Sequence, residues 1–202
     1  MFKEKKWSNR IQLILLFVCF LAPIVGAYYA YMTRDSREFN TVNNGQLYAK
    51  PQDLENIEFQ WSNGQSQQFE DFDKRWYLVV VADGQCDSVC EQNLEKIARV
   101  RAMNGKNIAR VVSLLVHDGL PNAQSTDLLA KYGIHGLSTN DSEGFKAWLK
   151  PFYEARNQGQ FEADRIYIID PLKKLMMSYP SDTDPKGLYQ DLKRLLKVSQ
   201  VG

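Results

Sequence analysis

Tyr77-Leu78-Val79-Val80-Val81-Ala82-Asp83-Gly84-Gln85-Cys86-Asp87-Ser88-Val89-Cys90-Glu91-Gln92-Asn93-Leu94 is the stretch on which the fold turns. A β-branched run stops at the turn pair Asp83-Gly84 and an amphipathic pattern begins directly after it, which predicts a strand, a tight turn and a helix start. Two cysteines sit on that helix start with three residues between them. In helical geometry they share one face about one turn apart, where two sulfurs can hold a metal ion together or approach one another. With Cys86 in the turn instead, a disulfide is also within reach, because bridging needs Cα atoms roughly 4.4–6.8 Å apart.

The position has chemical weight. Free N–H groups at a helix N-terminus favour thiolate, the form that attacks disulfides and binds soft metals. Asp83, Asp87 and Glu91 surround the pair with carboxylates, which disfavour a bare thiolate and favour a bound cation. The pattern leans towards a metal or a settled disulfide rather than a fast exchange thiol, and a structural bridge without turnover stays open beside both. An active role requires the sulfurs to face solvent.

Working outward, the 202 residues are 44% apolar and 24% charged, enough for one core-forming domain and an appendage. The balance of 25 basic to 24 acidic residues argues against a nucleic-acid binder, whose basic surplus gathers on one face. Two histidines and three cysteines exclude a four-cysteine zinc site.

Residues 1–10 carry Lys3, Lys5, Lys6 and Arg10 against Glu4, a cytoplasmic tail. Residues 11–33 contain no charge and are long enough to cross the hydrocarbon core of about 30 Å, with Trp7 at one water boundary and Tyr28, Tyr29 and Tyr31 at the other. The basic side stays in the cytoplasm, which places residues 34–202 beyond a bacterial inner membrane, in the periplasm. A cleaved signal peptide, cut near Val25-Gly26-Ala27, is the rival reading. Cys19 follows Phe17 and Val18, outside a lipoprotein context. Residues 34–53 are polar, without an apolar period, and read as a tether.

The domain then spans 54–202. Ile57 to Trp61 alternates as a strand, and Phe69 to Phe72 packs a short connection against the core. After the dithiol, Leu94, Ile97, Ala98 and Arg101 continue one helical face to a stop at Gly105. Ala109 to Val116 is a second buried strand, too continuously apolar for a one-sided sheet. One helix runs from Ser125 or Thr126 to Gly133, another through Phe145, Trp148 and Leu149 ends before Pro151, and residues 154–162 form a polar loop. Arg165 to Ile169, the turn Asp170-Pro171-Leu172-Lys173, and Leu175 to Tyr179 form a hairpin. Asp184 and Pro185 open the closing helix, which Leu188, Leu192 and Leu196 line.

An α/β order with a dithiol at the end of an inner strand, a crossover to a parallel strand, a hairpin and a terminal helix resembles the thioredoxin fold. More narrowly, one uncleaved anchor, an exported domain and two cysteines three residues apart are similar to the Sco/SenC family of cytochrome c oxidase assembly proteins. The resemblance covers roughly residues 54–198 and is best at 79–90 and at Tyr167-Ile168-Ile169-Asp170-Pro171. It implies that Cys86 and Cys90 are the redox pair or copper ligands, and an assembly factor or metallochaperone rather than a turnover enzyme. It implies as partner the oxidase subunit carrying the CuA centre, or other oxidase assembly factors.

This chain has Asp87 and Glu91 where the family places prolines, and Glu162, near Asp164, where it places its copper-binding histidine. Cu(I) prefers thiolate, thioether and imidazole to carboxylate, so the sequence implies a divergent relative that holds copper less firmly. Glu162, Asp164 and His135 are the candidate third ligands, His135 from a loop expected near the dithiol. His117 reads as a strand-edge residue making one hydrogen bond, and of Met176 and Met177 at least one belongs to the core. Catalysts of the thioredoxin fold carry a cis-proline before the hairpin, and no proline occurs between Phe152 and Asp170, which weighs against a general thiol–disulfide oxidoreductase.

Overall fold

The structure, a computed structural model, describes residues 9–32, 43–82, 86–119, 123–154 and 165–199. The chain divides into two compact units, Met1–Thr41 and Val42–Gly202.

The first unit contains α1 (Asn9–Met32), apolar over Arg10–Tyr29 with mean hydropathy 2.3. At 1.5 Å per residue its 24 residues reach about 36 Å, enough to cross a bilayer. Its length, composition and place near the N-terminus suit a membrane anchor or a signal sequence.

In the second unit, β4 (Trp76–Ala82) is buried along its whole length, as its unbroken Val-Val-Val run requires. It pairs in parallel with β5 (Val111–Asp118), which pairs in parallel with β6 (His135–Thr139). On its other side lie the antiparallel β7 (Ile166–Ile169) and β8 (Lys174–Tyr179), the expected hairpin. With β1 (Gln46–Asp53), β2 (Glu58–Trp61) and β3 (Ser66–Gln68), the sheet has eight strands in the order β1-β8-β7-β4-β5-β6-β2-β3.

Side chains alternate across this sheet. Leu78 and Val80 of β4, Leu115 of β5 and Met177 of β8 face one core with Leu94 and Ile97 of α2 (Ser88–Met103), Leu128 and Leu129 of α3 (Ala123–Tyr132), and Leu188 and Leu192 of α5 (Pro185–Val198). Val79, Val81 and Leu114 face the other core, where Trp148 and Phe152 of α4 (Ser142–Glu154) pack on Phe59, Phe69 and Tyr167.

Three expectations need correction. The supposed tether enters the fold at Gln46–Asp53 as β1, antiparallel to β8. Asp191 of α5 draws it in, its carboxylate accepting from the backbone N–H groups of Asn44 (2.7 Å) and Gly45 (3.0 Å) and from the Tyr179 hydroxyl (3.2 Å). The strand lies on the sheet edge, where Pro51 is tolerated. Gly45 passes so close to Tyr179 that a Cβ there would stand 2.2 Å from the ring. Next, α4 runs through Pro151 to Glu154, because Phe152 is buried against Trp148 and Tyr167 with ring centroids 4.8 and 4.7 Å away. Finally, His135 begins a strand, β6, instead of a loop.

Candidate thiol–disulfide site

Cys86 and Cys90 are joined in a disulfide, with Cα atoms 5.2 Å apart. Cys86 precedes the first turn of α2, and Cys90 lies within it. Between them Asp87 is the N-cap, its carboxylate accepting from the N–H groups of Val89 (3.0 Å) and Cys90 (2.9 Å). This carboxylate therefore takes donors that would otherwise favour a thiolate, so the site is built for a settled pair more than for a permanently ionised one.

The sulfurs do not face solvent. Cys86 is 2% and Cys90 5% exposed, both within the core shared by α2, α3 and α5. α3 shares that core through Leu128 and Leu129, and its Gln124 side-chain amide donates to the Cys86 carbonyl (3.4 Å). Further along, Glu91 accepts from Lys131 (2.8 Å) and the Tyr132 hydroxyl (3.1 Å), a latch between α2 and α3. Those two donors, followed by the Lys131 charge, hold the Glu91 carboxyl below its ordinary value. The sequence showed these residue types but not their convergence, since Glu91 and Lys131 are forty positions apart.

The candidate third ligands separate. His135 pairs with Leu114, which pairs with Val79, so it belongs to the α4 face of the sheet, opposite the disulfide. There it packs edge-on against Trp61 (5.8 Å) and lines a cleft of about 270 Å³ with Asp73, Arg75 and Gln67. Burial, then the Arg101 and Arg75 charges, lower its pKa. The expectation that it lies near the dithiol is wrong because the ladder register sets it beside Leu114, on the face of the sheet away from the cysteines. Glu162 and Asp164 lie outside the described residues. Met177 is core and Met176 half-buried.

His117 pairs with Ala82 on one side and Ser138 on the other near the end of β5, a buried strand as expected, and is 4% exposed. Its ring Nε2 has no hydrogen-bond partner. Burial pushes its pKa down, against the backbone hydrogen bonds at Gly119 and Asp118 and the Asp118 charge. The sequence carried a usable signal, since a residue that extends a run buried on both faces inherits that burial.

An inner-strand disulfide at a helix start, in this sheet, defines a thioredoxin-like protein with a cysteine pair at the characteristic junction. Residues 76–199 match the family model described as transmembrane-like, thioredoxin-like, C-terminal domain, and the chain belongs to that family. No curated protein sequence matches it.

Among solved structures, copper-bound yeast Sco1 is similar, with a TM-score of 0.60 and 14% identity over 75% of this chain and 96% of that one. BsSco, a member of the Sco family of cytochrome c oxidase assembly proteins with an identified disulfide switch, has a TM-score of 0.56 and 13% identity over 74% and 96%. The thioredoxin domain of a thiol-disulfide oxidoreductase from Bacteroides vulgatus has a TM-score of 0.52 and 14% identity over 72% and 97%. The domain thus has the Sco-like thioredoxin fold.

Copper is bound in several of the similar structures, yeast Sco1 among them, and in this chain a reduced Cys86 and Cys90 would offer it two sulfur donors. Two thiolates in one helical turn are soft donors suited to Cu(I). Among the described residues there is no cluster of three or more His, Cys, Asp or Glu side chains that could hold a metal ion.

Proposed function

We propose that this protein is a membrane-anchored assembly factor for cytochrome c oxidase, acting beyond a bacterial inner membrane through Cys86 and Cys90. The pair alternates between bridge and dithiol. As a dithiol it either holds copper for the oxidase or keeps client thiols reduced, passing two electrons and two protons to a client disulfide and closing its own bridge. A dithiol donor must then reopen it. Support comes from the apolar α1, from the Sco-like fold, and above all from the size of the ring that the bridge closes.

That ring holds five residues, Cys86 through Cys90. Chain-entropy reasoning gives so small a loop about 2 kcal/mol of stabilisation, the low end for a disulfide. Its helix is already capped by Asp87. A bridge placed for stability alone would join distant elements, so the location is better explained by chemistry. The burial of both sulfurs adds a requirement: α3 must move, or the latch from Glu91 to Lys131 and Tyr132 must open, before a client or copper donor reaches them.

The test is complementation of a deletion strain with wild type and with Cys86→Ala/Cys90→Ala under limiting copper. Loss of oxidase activity and oxidase copper in the double variant supports the proposal. Full rescue by it overturns the proposal in favour of the reading that burial itself favours, a docking module with a permanent bridge. Insulin reduction checks the remaining alternative, since rapid turnover there would point to a general oxidoreductase.

A further inference from the structure

Every second residue from Trp61 to Gln67 lines the cleft on the α4 face of the sheet: an indole, then the amides of Asn63, Gln65 and Gln67. That spacing puts them on one side of the hairpin made by β2 and β3, where the Trp61 N–H donates to the Gln65 carbonyl (2.8 Å). The facing wall is a second alternating row, Asp73, Arg75 and Tyr77, which leads into β4, and Val112 and His135 complete the lining. The cleft stands where β4 begins. The cysteines follow the end of that strand on the other face, about 20 Å away along β4, and nothing in the proposed function uses this second site.

Hydrogen bonds within the walls hold them in shape. Trp61 Nε1–H donates to Gln67 Oε1 (3.2 Å), and the Gln67 amide donates to the Asp71 carbonyl (2.7 Å). The Tyr77 hydroxyl (2.6 Å) and Lys173 Nζ (2.7 Å) both donate to the Asp73 carbonyl. Other groups are left for a ligand. Among the described residues the Gln65 amide nitrogen has no hydrogen-bond partner, and the Arg75 guanidinium engages Asp73 through Nη2 alone (2.8 Å). Asp73 and Arg75 cancel in charge, and burial, then the Arg101 and Arg75 charges, hold the His135 ring towards neutrality. We propose that this cleft binds a neutral sugar ring, a hexopyranose either free or at the end of a glycan chain. A carboxylate beside a guanidinium matches neighbouring hydroxyls, each of which both donates and accepts, while the C–H face of the ring packs on Trp61 and Val112. The volume of about 270 Å³ lies just under the roughly 300 Å³ of the smallest ligand pockets, which suits one ring. An ionic ligand would have to compete with the Asp73–Arg75 pair.

The test uses the full-length chain in a zwitterionic detergent without a sugar headgroup, titrated with glucose, with N-acetylglucosamine and with short β-1,4-linked oligomers of each. The readout is the Trp61 indole N–H resonance in a proton–nitrogen NMR spectrum, assigned with Trp61→Phe. Saturable shifts are expected, and Arg75→Ala and the double variant Asn63→Ala/Gln65→Ala should each bind about tenfold more weakly. These three positions are exposed, so the variants test binding without disturbing the core. Shifts with the single sugars show that the ring alone is recognised, and shifts with the oligomers only assign the site to the end of a chain; either supports the proposal. No shift with any of these sugars, or shifts undiminished in both variants, overturns it. A saturable shift with inorganic phosphate or acetate in place of the sugars overturns it in favour of an anion site. None of these results bears on the proposed function, because no residue of the cleft belongs to the cysteine pair.

Discussion

Reducing the bridge without changing a residue separates a chemical role from a structural one. Replacement by alanine also removes packed sulfur atoms, whereas reduction removes only the constraint on the unfolded chain. A ring of five residues predicts a loss of about 2 kcal/mol. For a domain of this size each kcal/mol moves the midpoint of thermal unfolding by about 2–4 °C, so reduction should lower it by about 4–8 °C. The same quantity appears in a second measurement. Thermodynamic linkage makes the folded bridge harder to reduce than the unfolded one by about 45 mV, since 30 mV corresponds to about 1.4 kcal/mol. The assay is urea unfolding of the full chain in detergent, followed by the fluorescence of the buried Trp76 and Trp148, with and without a phosphine reductant. A loss above about 4 kcal/mol, or unfolding on reduction, would refute the reasoning, because the bridge would then be a staple.

Asp87→Ala removes the cap of α2 and should cost about 1 kcal/mol in urea unfolding, whereas Asp87→Asn, which caps equally well, should cost little. Glu91→Gln weakens the latch to α3 and should speed reduction of the bridge by a small dithiol while leaving the unfolding midpoint nearly unchanged. Asp191→Ala leaves the backbone N–H groups of Asn44 and Gly45 without their carboxylate and frees β1 from α5; a loss of about 3–5 kcal/mol is expected, read as a lower unfolding midpoint. Tyr77 and Tyr179 have pKa values raised above 10.0, chiefly by burial and then by Asp73 and Asp191 respectively. The folded state then keeps protons that the unfolded state releases, so this stabilisation is complete below about pH 10 and is lost as pH rises above it. Urea unfolding near pH 9 and near pH 11 should show the decline, and Tyr77→Phe with Tyr179→Phe should flatten it.

The parts of the fold legible in the sequence were those where one local pattern determines the outcome. The run Val79-Val80-Val81 marks a buried strand, and the hairpin around Asp170-Pro171 is likewise local. β1 was not legible, because Gln46–Asp53 is polar and contains Pro51; its strand character comes from Ser178, Met177 and Asp191, far away in sequence. β6 was hidden for a similar reason, since His-Gly-Leu-Ser-Thr has little apolar signal and is ordered by β5 and β2 on its two sides. At the site, the cysteine pairing was a matter of local geometry, and the bridged alternative with Cys86 outside the helix is the one observed. Burial of the sulfurs was not local, because the core that holds them draws Leu128 and Leu129 from α3 and Leu188 and Leu192 from α5. His135 was misplaced for the same reason: its sheet face follows from ladder register, which its sequence neighbours do not reveal.

The most direct measurement is the reduction potential of the Cys86–Cys90 pair in the folded, full-length protein, equilibrated against glutathione or dithiothreitol buffers. A bridge that opens and closes in service should titrate reversibly with a midpoint above roughly −300 mV. A midpoint below that value, or a bridge that yields only when the protein unfolds, would contradict an active role for the pair and leave an anchored thioredoxin-like scaffold.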